Sequence, residues 1–318
     1  MSNGNLCVRI ARPKYLYARP RRVPETKRAG EMRLGGFFAA QSIAELESLC
    51  DKMDCYGLSA ISFPSGIPEM SDDECAAFGE RARELGMVIG ETGFWKNLMT
   101  PDRDLQAQRI ERVRELLRKA DAMGCFSVVT LVGTKDPSDH SVAPHPYMVT
   151  EECKEEFREI CLRILDGLDL RGARYIIEPS YNTFFYQPED IREFIDRVDH
   201  PAFGLHLDQM NMVSQRNFFN TTDLISRTFD LLADKIVSVH LKDIQCDFRN
   251  TFLKYDEVFI GDGVMDYDTY LKRLAELSPN MPCYCEHMDE ERDYALSFAR
   301  LHHLAGKAGV RFLRRGER

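Results

Sequence analysis

Short apolar segments alternate with longer amphipathic ones along almost the whole chain, one pair for about every 30–40 residues, close to the length of one strand-plus-helix unit of a parallel α/β fold. The strand candidates are 33–38, 58–63, 87–92, 126–131, 174–178, 203–208, 236–241 and 282–286. They are short and mostly non-alternating, as strands covered on both faces must be. Between them lie helical stretches with start and stop signals. Ser71-Asp72-Asp73-Glu74 reads as a capping box for a helix ending near Leu85-Gly86, and 102–123 is amphipathic and closes at Gly124. Further helices are expected over 151–168, 188–198, 222–233, 266–277 and 289–308. This alternation specifies an α/β chain, a single (β/α)8 TIM barrel. A doubly wound open sheet is disfavoured, because no Gly-rich phosphate turn follows any strand.

The domain boundaries follow. Residues 33–318 are expected to form the barrel. Residues 1–32 are read as a basic N-terminal arm, carrying Arg9, Arg12, Lys14, Arg19, Arg21, Arg22, Lys27 and Arg28 among three prolines, with no helical period.

Four ligand-type side chains stand where successive apolar strands stop: Glu178, Asp208, His240 and Glu286. They are 30, 32 and 46 residues apart. Closing the barrel brings all four to one mouth. Such a group is costly to bury unless it holds a cation, and three carboxylates with one imidazole suit a hard or borderline divalent metal. Glu178, Asp208, His240 and Glu286 are therefore the expected metal ligands. A metal on a ketose's carbonyl and hydroxyl oxygens would stabilise the enediolate left when the neighbouring C–H is deprotonated, with a carboxylate on each face to move protons.

Bulk properties narrow the partners. The formal charge of −9 speaks against nucleic acid. No apolar run approaches the roughly 18 residues of a membrane span, and no signal core is evident. Ten scattered cysteines form no disulfide framework or zinc knuckle. A cytoplasmic protein with reduced thiols is expected.

Ile177-Glu178-Pro179, Leu207-Asp208, Val239-His240-Leu241-Lys242-Asp243, Gly261-Asp262-Gly263 before Asp266-Tyr267, and Glu286-His287 together resemble the xylose-isomerase-like sugar (phosphate) isomerase/epimerase superfamily. The resemblance runs from Arg33 through the barrel. It implies one divalent ion, most often Mn2+ with Mg2+, Co2+ or Zn2+ as alternatives, on the four residues above. It also implies proton transfer by Glu178 and Glu286 on a small carbohydrate. One departure is Asn211, where many epimerases of the family carry His three residues after the metal Asp.

A second feature is the loop His140-Ser141-Val142-Ala143-Pro144-His145-Pro146-Tyr147-Met148 after strand four. There His145, stiffened between prolines, is a candidate acid/base. In these features the chain is similar to the larger subunit of bacterial C-glycoside deglycosidases. That likeness implies a metal-stabilised enolate of a 3-oxo-glucosyl flavonoid, β-elimination of the C1–C bond with His145 as acid/base, a small β-rich partner subunit and an oligomeric assembly. Aromatic residues follow strands three, five and six (Phe94 and Trp95; Tyr181, Phe184, Phe185 and Tyr186; Phe218 and Phe219) and would suit a flat aglycone. Trp95, Lys96, Phe184, Asn211 and Lys242 are the expected substrate contacts, Lys242 sharing the inward face of His240 two residues earlier. Keto-sugar isomerisation or 3-epimerisation is the alternative reaction. An apurinic-site DNA endonuclease shares the barrel, but needs three zinc ions and more histidines than the eight present. A non-catalytic assembly subunit would have no use for the intact ligand set.

Overall fold

The computed structural model describes residues 30–36, 38–64, 69–249 and 254–317. In chain order the elements are β1 (Glu31–Gly35), α1 (Ile43–Ser48), α2 (Cys50–Tyr56), β2 (Ala60–Ser62), α3 (Asp72–Glu84), β3 (Val88–Phe94), α4 (Arg103–Met123), β4 (Ser127–Thr130), α5 (Glu151–Leu165) and β5 (Arg174–Ile177). The second half continues with α6 (Pro188–Val198), β6 (Phe203–Asp208), α7 (Thr221–Leu232), β7 (Ile236–Leu241), β8 (Asp243–Asp247), β9 (Lys254–Val258), α8 (Tyr267–Ala275), β10 (Pro282–Cys285), α9 (Glu291–Ala308) and β11 (Arg311–Leu313).

Strands β1 to β7 pair in parallel with their chain neighbours, and β10 pairs with β7 on one side and β1 on the other. Arg33 opposite Pro282 and Gly35 opposite Tyr284 close the ring. The result is the expected (β/α)8 barrel. The strands can be this short because both faces are covered: every residue of β4, β6 and β10 is buried. Outside, each helix turns one apolar stripe inward. In α4 that stripe is Ile110, Val113, Leu116, Leu117 and Ala120, the spacing of a single helical face. The capping signals behave as read. Ser71 and Glu74 form the full capping box, Asp102 accepts from the amides of Asp104 and Leu105, and Gly124 ends α4 in the left-handed region.

Three elements were not expected. The first crossover is a broken pair, α1 and α2, where a single helix would be usual. Strand β11 adds in parallel to β1 opposite Glu31–Arg33. The antiparallel hairpin β8–β9 follows β7 directly and accounts for the long spacing from His240 to Glu286. Strand β9 is mostly exposed, so its sequence lacks the apolar run that marks the barrel strands. Of the N-terminal arm, residues 1–29 lie outside the described residues, and β1 begins at Glu31. The described cysteines are all free, and most are buried. Among the described residues no helix is long and apolar enough to cross a membrane.

Candidate metal centre

Side chains two apart on a strand share a face. Strand β6 therefore sends His206 and Asp208 into the barrel, and β7 sends Ser238 and His240, with Lys242 next in the same row. Glu178 and Glu286 stand one residue beyond the ends of β5 and β10. One ligand atom from each of Glu178, Asp208, His240 and Glu286 lies within 4.8 Å of the others, and all four residues are buried. The sequence-predicted ligand set is thus brought together in full.

In the centre of the group sits the Lys242 ammonium, itself only 3% exposed. Nζ is 2.8 Å from Asp208 Oδ2, 2.6 Å from Glu286 Oε2 and 4.0 Å from Glu178 Oε1. Asp208 Oδ2 and Glu286 Oε2 are fully covered, yet neither makes a hydrogen bond of proper geometry. Their contact with the ammonium is one of charge. His240 Nδ1 completes the group at 2.6 Å from Glu286 Oε2.

The same crowding sets the protonation pattern. Burial, reinforced by Asp208 and Glu286 and opposed by His240 and Lys242, holds the Glu178 carboxyl well above the usual carboxylate range. Burial would also raise Glu286, but His240 and Lys242 outweigh it and bring it down to about 2. Asp208 is held low against burial by Lys242 and His240. His240 is held well above the usual imidazole range by Glu91 and Glu286, against burial. Two carboxylates of one site are thus pushed in opposite directions, the arrangement that separates an acid from a base.

These residues fit a divalent cation. The donor set is three carboxylates and one imidazole nitrogen, the covered oxygens of Asp208 and Glu286 lack hydrogen bonds, and Lys242 already neutralises charge at the same spot. A dication there would take over the balance that the ammonium and the proton on His240 provide.

Glu178 and Glu286 of the cluster, with Lys242, line a cavity of about 610 Å³ at the barrel mouth, together with Trp95, Tyr181 and Asn211. Trp95 is 42% exposed, and its indole lies against Gly93, where a Cβ would meet the ring at 2.3 Å. Asn211 lines the cavity, but its side-chain amide donates to Glu178 Oε1 at 2.7 Å and its backbone amide to Asp208 Oδ1 at 3.2 Å. It therefore positions the carboxylates. Lys96 is exposed and outside this lining. Phe184 is not a mouth residue either. It is 4% exposed, packed against Phe157, Phe185 and Phe194, because the loop after β5 turns Phe184 and Phe185 into the core. Phe218 and Phe219 pack on Phe248 of the hairpin segment rather than over the cluster. The loop after β4 contributes Val142 and Pro144 to the lining. The His145 ring lies outside it, its Nδ1 accepting from the Tyr147 amide at 3.2 Å.

Three polar residues were given no role in the sequence reading. Glu91 on β3 and His206 on β6 lie directly beneath His240. His287 lines the mouth in a left-handed conformation, φ 58°, with Nδ1 2.9 Å from Glu257 of β9. Glu91 had a signal: a charge inside the apolar run Val88-Ile89-Gly90 must be partnered. His206 shared the inward period of Asp208.

The Gly261-Asp262-Gly263 motif has a structural cause. The Asp243 carboxylate accepts from the amides of Gly261, Gly263 and Met265 and from its own neighbour Ile244, pinning the loop beside Lys242. A Cβ at Gly263 would fall 2.1 Å from Asp243 Oδ1. Gly263→Ala is expected to cost about 1–3 kcal/mol as an overpacking change, read by urea denaturation. Wild-type stability in that variant would contradict the packing described.

Residues 50–315 match the family of xylose isomerase-like TIM barrels, and the chain belongs to that family. Over 117 residues it is 24% identical to 3-oxo-isoapionate decarboxylase from Pectobacterium atrosepticum, a match spanning 36% of this chain and 40% of that enzyme. Its fold is similar to that of a xylose isomerase-like TIM barrel protein from Mycobacterium smegmatis in complex with magnesium. There the TM-score is 0.58, with 17% identity and coverage of 88% of this chain and 97% of the other. An L-ribulose 3-epimerase aligns with a TM-score of 0.61 and 14% identity, over 88% and 94% of the two chains.

Proposed function

We propose that the chain is a divalent-metal-dependent carbohydrate enzyme, and that its reaction is cleavage of the C1–C bond of a 3-oxo-glucosyl C-glycoside. The observation that carries this is the buried cluster Glu178, Asp208, His240 and Glu286, whose two glutamates line a cavity shared with Trp95 and Tyr181. Those four residues would hold the ion, Mn2+ being the assignment. When bound, it supplies Lewis-acid stabilisation of negative charge on substrate oxygens.

The chain's own residues do the rest. Glu178, steadied by Asn211, takes the C2 proton of the 3-oxo sugar. The C2–H electrons become the C1=C2 bond as the C1–C bond breaks, and the aromatic carbon that leaves takes up a proton. His145 is proposed as the group that delivers it, reaching the mouth by movement of its proline-flanked loop. Trp95 and Tyr181 would stack on the flat aglycone, and Lys242 would face the sugar oxygens. The decarboxylase relative, named for a 3-oxo compound, supports a C–C bond cleavage. That the mycobacterial barrel was obtained in complex with magnesium supports a divalent metal in a barrel of this fold. A small β-rich partner subunit and an oligomeric, cytoplasmic assembly belong to the same proposal.

Keto-sugar isomerisation or 3-epimerisation is the second reading, favoured by two cavity carboxylates with opposite protonation tendencies. His145→Ala separates the two. Release of aglycone from a 3-oxo-glucosyl flavone, assayed with and without the small subunit, should fall by about 10^2–10^4-fold, the contribution of one acid/base group. An unchanged rate of release would remove His145 from the step, whereas new sugar isomers from a free ketose with no aglycone release would favour the isomerase.

A further inference from the structure

We infer that Glu91 is a positioning residue for the metal centre, fixing which nitrogen of His240 faces the ion; this rests on the metal reading above. Glu91 is 4% exposed in the middle of β3, and it does not line the mouth cavity. Its Oε1 is 2.8 Å from His240 Nε2. The opposite nitrogen of the same ring, Nδ1, is 2.6 Å from Glu286 Oε2 and 4.0 Å from Glu178 Oε1. An imidazole held by a carboxylate at Nε2 keeps its proton there and presents the Nδ1 lone pair to the cluster. The carboxylate also makes that nitrogen a stronger donor.

The support has a second layer. Glu91 Oε2 is 3.3 Å from His206 Nδ1, which also meets Ser238 Oγ at 2.6 Å. The His206 ring packs edge-on against His240, centroids 4.0 Å apart. Three strands, β3, β6 and β7, thus lock the ligand ring from below. Burying this many polar groups in a barrel core is costly unless they serve one another.

Glu91, His206 and His240 are themselves close enough to form a ligand group. Glu91 Oε1 and His240 Nε2 are in hydrogen-bond contact, however, which leaves no room for an ion between them. One ion per chain is therefore expected.

The test is calorimetric titration of metal-free protein with Mn2+. Glu91→Gln keeps the volume and an acceptor but removes the charge. It should bind one Mn2+ with a Kd weaker by about 10–100-fold. An unchanged Kd overturns this inference alone, as do two ions bound per wild-type chain. A wild type that binds none overturns the metal reading as well. Should Glu91→Gln fail to fold, the nitrogen-15 spectrum of wild type loaded with Zn2+ decides the question. His240 is expected with Nε2 protonated and Nδ1 bound to the metal, and the reverse tautomer refutes the assignment.

Discussion

Glu178→Gln is expected to give a folded protein whose turnover falls by at least about 10^2–10^4-fold, the worth of one proton-transfer group. The substitution is conservative in shape. A glutamine Oε1 still accepts from Asn211 Nδ2, now 2.7 Å from the carboxylate, so the loop after β6 keeps its anchor. What is lost is the group that can take and hold a proton. Burial raises the proton affinity of the Glu178 carboxyl, so in its ionised form it is the stronger base of the pair. The change also removes a ligand charge, so Mn2+ binding weakens together with turnover. Steady-state rates at saturating Mn2+ separate the two losses. A variant that turns over at the wild-type rate with metal bound would remove Glu178 from the chemistry.

Lys242→Met should have the largest effect on the metal-free fold. The ammonium is the nearest cation to Asp208 Oδ2 at 2.8 Å, and at Glu286 Oε2 it shares the 2.6 Å distance of His240 Nδ1. Without it Asp208 loses its nearest cation and Glu286 keeps His240, and truncating one side of such a buried pair typically costs about 3–5 kcal/mol. The pH dependence follows from the same contacts. In wild type the Glu286 carboxyl is depressed from 4.5 to about 2. Its contribution to stability is therefore complete above 4.5 and disappears as pH falls towards 2. Without Lys242, Asp208 loses the charge that most opposes the effect of burial and moves upward, so its contribution to stability is lost from a higher pH in the variant than in wild type. Mn2+ should raise its melting temperature more than it raises that of wild type, because the dication supplies the missing charge. Thermal denaturation across pH 3–9, with and without Mn2+, reads both effects. A metal-free variant as stable as wild type would contradict the central place given to this ammonium.

Much of this was legible before any coordinates. The strands of a barrel are buried on both faces, so 203–208 and 236–241 appear as apolar runs, and a ligand where such a run ends stands out against them. The four ligands were readable for that reason. The inner residues were harder. Glu91 is a single charge inside an apolar run, and nothing in the sequence says which of the other strands carries its partner. His206 and Ser238 look like ordinary strand residues until the barrel places them beside His240. The aromatics failed differently. Trp95, Phe184 and Phe219 all follow strands, but only the path of each loop decides whether a ring rims the mouth, fills the core or packs on the β8–β9 hairpin. That hairpin was invisible because β9, Lys254–Val258, is mostly exposed and so carries no apolar run.

The proposed chemistry depends most on one cation at Glu178, Asp208, His240 and Glu286. The direct measurement is anomalous diffraction at the manganese edge from a crystal of the wild-type protein grown with Mn2+. One peak per chain is expected, bonded to His240 Nδ1 and to an oxygen of each carboxylate, with Lys242 displaced from between Asp208 and Glu286. A cluster without a peak, its ammonium still in place, would contradict the account.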